Sequence, residues 1–158
     1  MLNKIKQLTE LSKIIEKDRN EGKVIVLANG CFDLLHVGHI RLLAKAKELG
    51  DILVVAVNSD RTVRCLKGET RPVINQAERL ELVASLAVVD YVALFDELVP
   101  ISIVNTLRPD VFVKGFGYSP EQLPEYSLVL HYGGRVVTFG SLASTSTSGI
   151  IQKILHGK

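Results

Sequence analysis

Two histidines, His36 and His39, flank Gly38 within 29-NGCFDLLHVGH-39. They follow the apolar run 24-VIVLA-28, and helical spacing begins just after them. That places them where a strand ends and a helix starts. A helix N-terminus carries unpaired N–H groups and partial positive charge. Phosphate binds there readily. Two imidazoles add hydrogen-bond donors for an anion, and a glycine between them lets a ligand approach the backbone. A plainer reading has one histidine capping the helix and the other buried or solvated. The company of Asn29, Gly30, Cys31, Phe32 and Asp33 favours the anion site.

Other residues could serve the same chemistry. Lys67 lies in 66-LKGETRP-72, where a glycine beside a lysine, then Arg71 and Pro72, suits a mobile loop closing over an anionic substrate. A solvated loop lysine is the ordinary alternative. Arg79 falls in the first turn after a helix cap at Asn75, where a cation opposes the helix dipole. An anionic ligand would explain it, and so would a surface pair with Glu78 or Glu81. Ser146 and Thr147 precede the apolar residues Ile150, Ile151, Ile154 and Leu155. One of the hydroxyls suits an N-cap, and both could also contact phosphate. Asp33 is the carboxylate nearest the histidines. It could orient a metal ion or stiffen the turn through its own backbone bonds.

The elements that must position these groups alternate. Helical spacing covers residues 4–20 and ends at Gly22. Strands are expected at 24–28, 52–58, 91–95, 111–115 and 135–139. Helices are expected at 38–49, 75–87, 100–107, 120–132 and 146–156, with a polar loop between 58 and 75. The strands are continuous apolar runs, as in sheets buried on both faces. Alternation of this kind predicts an α/β fold: one Rossmann-like domain over 23–158, a five-stranded parallel sheet with helices on both faces, preceded by an N-terminal helix over 1–22. Ligands of such sheets bind beyond the carboxyl ends of the strands, at the switch point. Four segments leave strand ends there: 29-NGCFD-33, 58-NSDR-61, 114-KG-115 and 144-STSTSG-149.

Composition limits the function further. The 158 residues suit one domain, and 47% of them are hydrophobic, too many for disorder. A net charge of +2 without a long basic block gives no nucleic-acid footprint. No apolar run reaches membrane-spanning length, and the amphipathic N-terminus lacks a signal-peptide core. Cys31 and Cys65 have no metal-ligand spacing and read as free thiols, so a cytoplasmic protein with no membrane or nucleic-acid partner is expected. No GxGxxG follows the first strand, which weakens an oxidoreductase reading.

The stretch 29-NGCFDLLHVGH-39 resembles the HxGH signature of the cytidylyltransferase-like nucleotidyltransferases. The segments 57-VNSD-60, 66-LKGETRPV-73, 76-QAER-79, 108-RPDVFVKG-115 and 146-STSGII-151 resemble that family's blocks in the same order. The LKGxxRPV and RPDxxVKG elements look most like the D-glycero-β-D-manno-heptose 1-phosphate adenylyltransferases. That activity often forms the C-terminal half of a bifunctional protein with a sugar kinase, and a freestanding form is the expectation here. The resemblance implies attack of a sugar phosphate on the α-phosphorus of ATP, with pyrophosphate leaving. It implies that His36, His39 and Lys67 serve catalysis. Asn29, Gly30, Cys31, Phe32, Gly38, Lys114, Gly115, Ser146 and Thr147 would bind nucleotide, and Arg71 and Arg79 the substrate phosphate. Mg²⁺ held mainly by the phosphates is implied, with Asp33 as its one candidate protein ligand. A homo-oligomer, a dimer or a higher assembly, is implied as well.

Two departures stand out. The family commonly shows KG-x-DY where this chain has 114-KGFGY-118, so Gly117 replaces an aspartate and Phe116 is bulky. The stretch 140-GSLASTSTSG-149 is longer in serine and threonine than the family's ISTS block and lacks its usual lead-in. CTP with glycerol 3-phosphate is the competing reaction. A non-catalytic nucleotide-binding module is the reading that Gly117 supports.

Overall fold

The computed structural model describes residues 2–115, 117–140 and 142–157. Phe116 lies outside them. Five parallel strands form one sheet in the order β3-β2-β1-β4-β5. They are β1 (Ile25–Gly30), β2 (Ile52–Asn58), β3 (Tyr91–Phe95), β4 (Val111–Lys114) and β5 (Arg135–Thr138). Among the described residues seven α-helices accompany them: α1 (Leu8–Asn20), α2 (Val37–Lys47), α3 (Asp60–Lys67), α4 (Gln76–Ala84), α5 (Ile101–Leu107), α6 (Tyr126–His131) and α7 (Thr147–His156).

Side chains alternate across a strand, so each face of this sheet feeds a separate core. Val26, Ala28, Leu53, Val55, Val57, Val111 and Val113 pack with Leu43 and Ala46 of α2 and Val83 and Ala84 of α4. Ile25, Leu27, Val54, Ala56 and Phe112 pack the other way, with α1, α5 and Val129 of α6. Burial on both faces explains why the strands are unbroken apolar runs. Each fully buried valine, leucine or isoleucine contributes about 1.5–3 kcal/mol.

The N-terminal ends of the strands are sealed by aspartates. Val24 N–H donates to Asp51 at 2.8 Å, Ile25 N–H to Asp110 at 2.7 Å and Leu53 N–H to Asp90 at 2.7 Å. The edge at β3 is blunted in turn, because Ile5 forms a parallel bridge to Val92. Leu11 and Ile15 of α1 are fully buried in the second core. The carboxyl edge of the sheet is therefore the face left to a ligand, and β1 beside β4 is its switch point.

Several boundaries differ from the expectation. The first helix begins at Leu8, because residues near Ile5 serve the sheet edge. α2 covers Val37–Lys47, and the strands at 111 and 135 end at Lys114 and Thr138. Over 120–132 only a short 3-10 turn (Pro120–Gln122) and α6 form. The expected loop after β2 contains α3, which Ser59 caps by accepting from Thr62 N–H at 3.1 Å.

Candidate active site

A cleft of about 800 Å³ opens over the carboxyl ends of β1 and β4. Its walls come from the start of α2, the end of α3, Gly140 and the segment 142–148. The residues at its centre are those of the HVGH turn. His36 is the N-cap of α2, and its Nδ1 accepts from Gly38 N–H at 3.1 Å. The neutral ring then carries its proton on Nε2. The His36 and His39 rings lie 3.9 Å apart between centroids, and the Phe32 ring stands 5.3 Å from His39.

Burial holds both histidines neutral. It pushes the His39 pKa down to about 4, assisted by the neighbouring His36 and opposed by Asp33. It lowers His36 in the same direction. The Nδ1 of His39 is buried without a hydrogen-bond partner among the described residues. An unsatisfied buried ring nitrogen is uncommon in a folded protein, and this one belongs to a ring that lines the cleft.

Gly38 has a more local reason than ligand access. A Cβ there would sit 2.8 Å from Cε1 of His36, so only glycine allows the imidazole to fold back over the helix start. Phe32 adopts φ 46°, a left-handed conformation that costs a non-glycine residue of order 1–3 kcal/mol. Its ring is 2% exposed and packs over Gly30, where a Cβ would come within 3.1 Å.

Asp33 is 1% exposed and serves the turn. It accepts from Arg71 Nε at 2.6 Å and from the N–H groups of Val73 and Ile74, both at 2.9 Å. Burial alone would raise its pKa, but the bonds from Ile74, Val73 and Arg71 outweigh it and hold the carboxyl below its ordinary value. Arg71 thus ties the 71–74 strap to the turn while lining the cleft.

Lys67 also lines the cleft, from the exposed last residue of α3. It belongs to a helix end closed by Gly68 and not to a loop. Lys114 and Gly115 enter at the end of β4, with the Lys114 ammonium 3.0 Å from Glu125. Ser146 caps α7, its Oγ accepting from Gly149 N–H at 3.0 Å. Thr147 Oγ1 donates to Leu34 O at 3.2 Å, which closes the α7 wall onto the HVGH turn. Asn29, Gly30, Cys31, Phe32, Asp33, His36, Gly38, His39, Lys67, Arg71, Lys114, Gly115, Ser146 and Thr147 therefore share one cleft.

Arg79 does not join them, which corrects the expected phosphate contact. It is fully buried, donates to the carbonyls of Ile74, Cys31 and Asn58, and pairs with Asp60 at 2.8 Å. The guanidinium knots together the ends of β1 and β2, the strap and α3. Sequence reasoning also missed the apolar lining of Leu42, Leu66, Leu98, Leu142 and Tyr118. Asn58 was visible only as a polar strand end. It lines the cleft, whereas Ser59, Asp60 and Arg61 border a separate shallow groove.

The cytidylyltransferase-like family matches residues 27–120. The bifunctional protein HldE of Geobacter metallireducens is 51% identical over 153 residues, 97% of this chain and 31% of that protein. The bifunctional protein HldE of Syntrophotalea carbinolica is 47% identical over 153 residues, with the same coverage of 97% and 31%. The chain thus spans about a third of the length of the curated relatives it matches. A crystal structure of the lipopolysaccharide core biosynthesis protein from Thermoplasma volcanium GSS1 superposes with a TM-score of 0.66 at 32% identity. The match covers 77% of this chain and 100% of that one. Among the described residues no helix is long and apolar enough to cross a membrane.

Proposed function

Because the chain belongs to the cytidylyltransferase-like family, we propose that it transfers the adenylyl group of ATP to D-glycero-β-D-manno-heptose 1-phosphate. An oxygen of the acceptor phosphate forms a bond to the α-phosphorus. The bond from that phosphorus to the bridging oxygen breaks, and pyrophosphate leaves with the electron pair. ADP-heptose is the product. The observation that carries the reading is the convergence of both HVGH histidines with Lys67, Lys114 and the 144–148 hydroxyls on one cleft at the switch point. The LKGxxRPV and RPDxxVKG elements support the heptose branch. So do relatives named as bifunctional HldE proteins and a neighbour described as a lipopolysaccharide core biosynthesis protein.

In this reading the acceptor phosphate is already a nucleophile, so the protein supplies alignment and charge stabilisation. The rings of His36 and His39 donate to the triphosphate where charge grows in the transition state. Lys67, on an exposed helix end, closes electrostatically on the same phosphates, and the N–H groups of the NGCF turn orient them. The apolar lining excludes water from the reacting oxygens.

Mg²⁺ fits this site as a companion of the nucleotide. Asp33 already spends its oxygens on Arg71, Val73 and Ile74. Among the described residues no group of three or more His, Cys, Asp or Glu is placed to hold a metal. Held by the triphosphate, such an ion would supply positive charge to offset the charge of the departing pyrophosphate.

The direct test is pyrophosphate release with Mg²⁺, crossing ATP and CTP with the heptose 1-phosphate and glycerol 3-phosphate. We expect release with ATP and the heptose phosphate, lowered about 10²–10³-fold in a folded His39→Ala protein, as for loss of one transition-state donor. Release confined to CTP and glycerol 3-phosphate would replace this reading with the cytidylyl one. A folded His39→Ala protein with wild-type turnover would remove the histidine assignment.

A further inference from the structure

Glu125 is a buried carboxylate, paired to a lysine of the cleft, that the reaction above does not use. It is 1% exposed, and its Oε1 lies 3.0 Å from the Lys114 ammonium, while Oε2 is buried without a hydrogen-bond partner among the described residues. It stands at the N-cap position of α6, where an acidic side chain could bond a free N–H, yet it makes no cap bond. The side chain reaches to Lys114 instead. That lysine ends β4, lines the cleft with its side chain 15% exposed, and has its ammonium 5.5 Å from the Phe112 ring centre and 5.9 Å from that of Tyr118.

A buried charge with an unsatisfied oxygen destabilises a fold unless something offsets it. Here the offset is Lys114, and the two groups form a pair of zero net charge in the cleft wall. Phosphate is drawn to uncompensated positive charge, which Lys67 and the helix start supply elsewhere in the cleft. An ammonium that already has its own carboxylate keeps N–H donors but little net field. Those donors match an uncharged oxygen or nitrogen.

We propose that Glu125 is a positioning residue that holds Lys114 as half of a neutral pair, so that Lys114 reads an uncharged hydrogen-bond acceptor of a substrate rather than a phosphate. That acceptor belongs either to the nucleoside part of ATP or to the hydroxyls of the sugar phosphate. The inference rests on the nucleotidyl-transfer reading for the identity of those substrates and not for the behaviour of the pair.

The test is calorimetric binding of inorganic pyrophosphate, ATP and the heptose 1-phosphate to the wild type, Glu125→Gln and the double variant Lys114→Met/Glu125→Gln. Glu125→Gln frees the ammonium. It should bind pyrophosphate at least fivefold more tightly, with a steeper dependence on ionic strength. The double variant leaves the charge of the cleft unchanged and remains informative where the single one does not fold. It should bind pyrophosphate within twofold of wild type and lose about tenfold for one organic substrate. A loss confined to ATP puts the contact on the nucleoside, and a loss confined to the heptose phosphate puts it on the sugar. A tenfold loss of pyrophosphate affinity in the double variant would overturn the proposal. So would unchanged affinity for both organic substrates, or unchanged pyrophosphate affinity in folded Glu125→Gln. A wild-type protein that binds pyrophosphate but turns over no acceptor would sink the proposed reaction and leave this test standing.

Discussion

His39 keeps a neutral ring in a place where water does not support its charge, and that has a measurable consequence. Its pKa falls from 6.5 to about 4 on folding. Between those values the unfolded chain holds a proton that the folded chain does not. Stability therefore stays whole above pH 6.5 and is lost as pH falls toward 4, by on the order of 3 kcal/mol. Denaturant unfolding from pH 7 down to 4 should show a steeper loss for wild type than for His39→Gln. Parallel curves would mean that the ring is solvated. The same residue type and spacing led from the sequence to a proposed anion site because HVGH follows a strand end, and the structure places both rings in the cleft. Arg79 was equally visible and was misread. Its partners are carbonyls at 31, 58 and 74, and no local pattern distinguishes an arginine facing backbone from one facing phosphate. A first-turn arginine opposed by the helix dipole signalled an anion-like partner. Here that partner is the Asp60 carboxylate together with three carbonyl oxygens.

Helix starts and ends decide where the reactive groups point. The His36 ring closes the first turn of α2 only because position 38 has no Cβ. Gly38→Ala should therefore act as a His36 variant. The ring must swing away, one N-cap bond is lost at about 0.5–2 kcal/mol, and turnover should fall with it. Thermal unfolding and pyrophosphate release of Gly38→Ala and His36→Ala, alone and combined, give the check. Additive losses in the double variant would show that the two positions act separately. The parallel strands and α1, α2, α4, α5 and α7 were legible because apolar period and caps agreed. α3 was not, since only Thr62 and Val63 of its eight residues are buried. Its polarity concealed a helix whose end signals, Ser59 before it and Gly68 after it, were present. The apolar cleft lining was hidden for a different reason. Leu66 at the end of α3, Leu98 and Tyr118 are ordinary hydrophobics until the strand order brings their segments together.

Across the whole molecule, stability and chemistry are carried by different parts. The two cores use every strand and helices α1, α2, α4, α5 and α6. α7 has no buried residue, and Ile154 and Leu155 are 73% and 67% exposed. Yet Ser146, Thr147 and Ser148 at its start form one wall of the cleft, bonded to the HVGH turn. Arg41 of α2 helps to hold that wall by donating to Leu142 O at 2.8 Å, and Thr147 bonds Leu34 O. Two such bonds contribute about 1–3 kcal/mol together, which is small beside either core. A chain ending at Thr145 should therefore unfold within a few degrees of the full-length protein. It should also release pyrophosphate more than 100-fold more slowly, because the hydroxyls and the α7 N-terminus no longer line the cleft in which the triphosphate is proposed to bind. A large drop in the unfolding midpoint would place α7 within the folding unit. Retained turnover would mean that the strand ends and α2 suffice, and that the serine-threonine wall only shields the site.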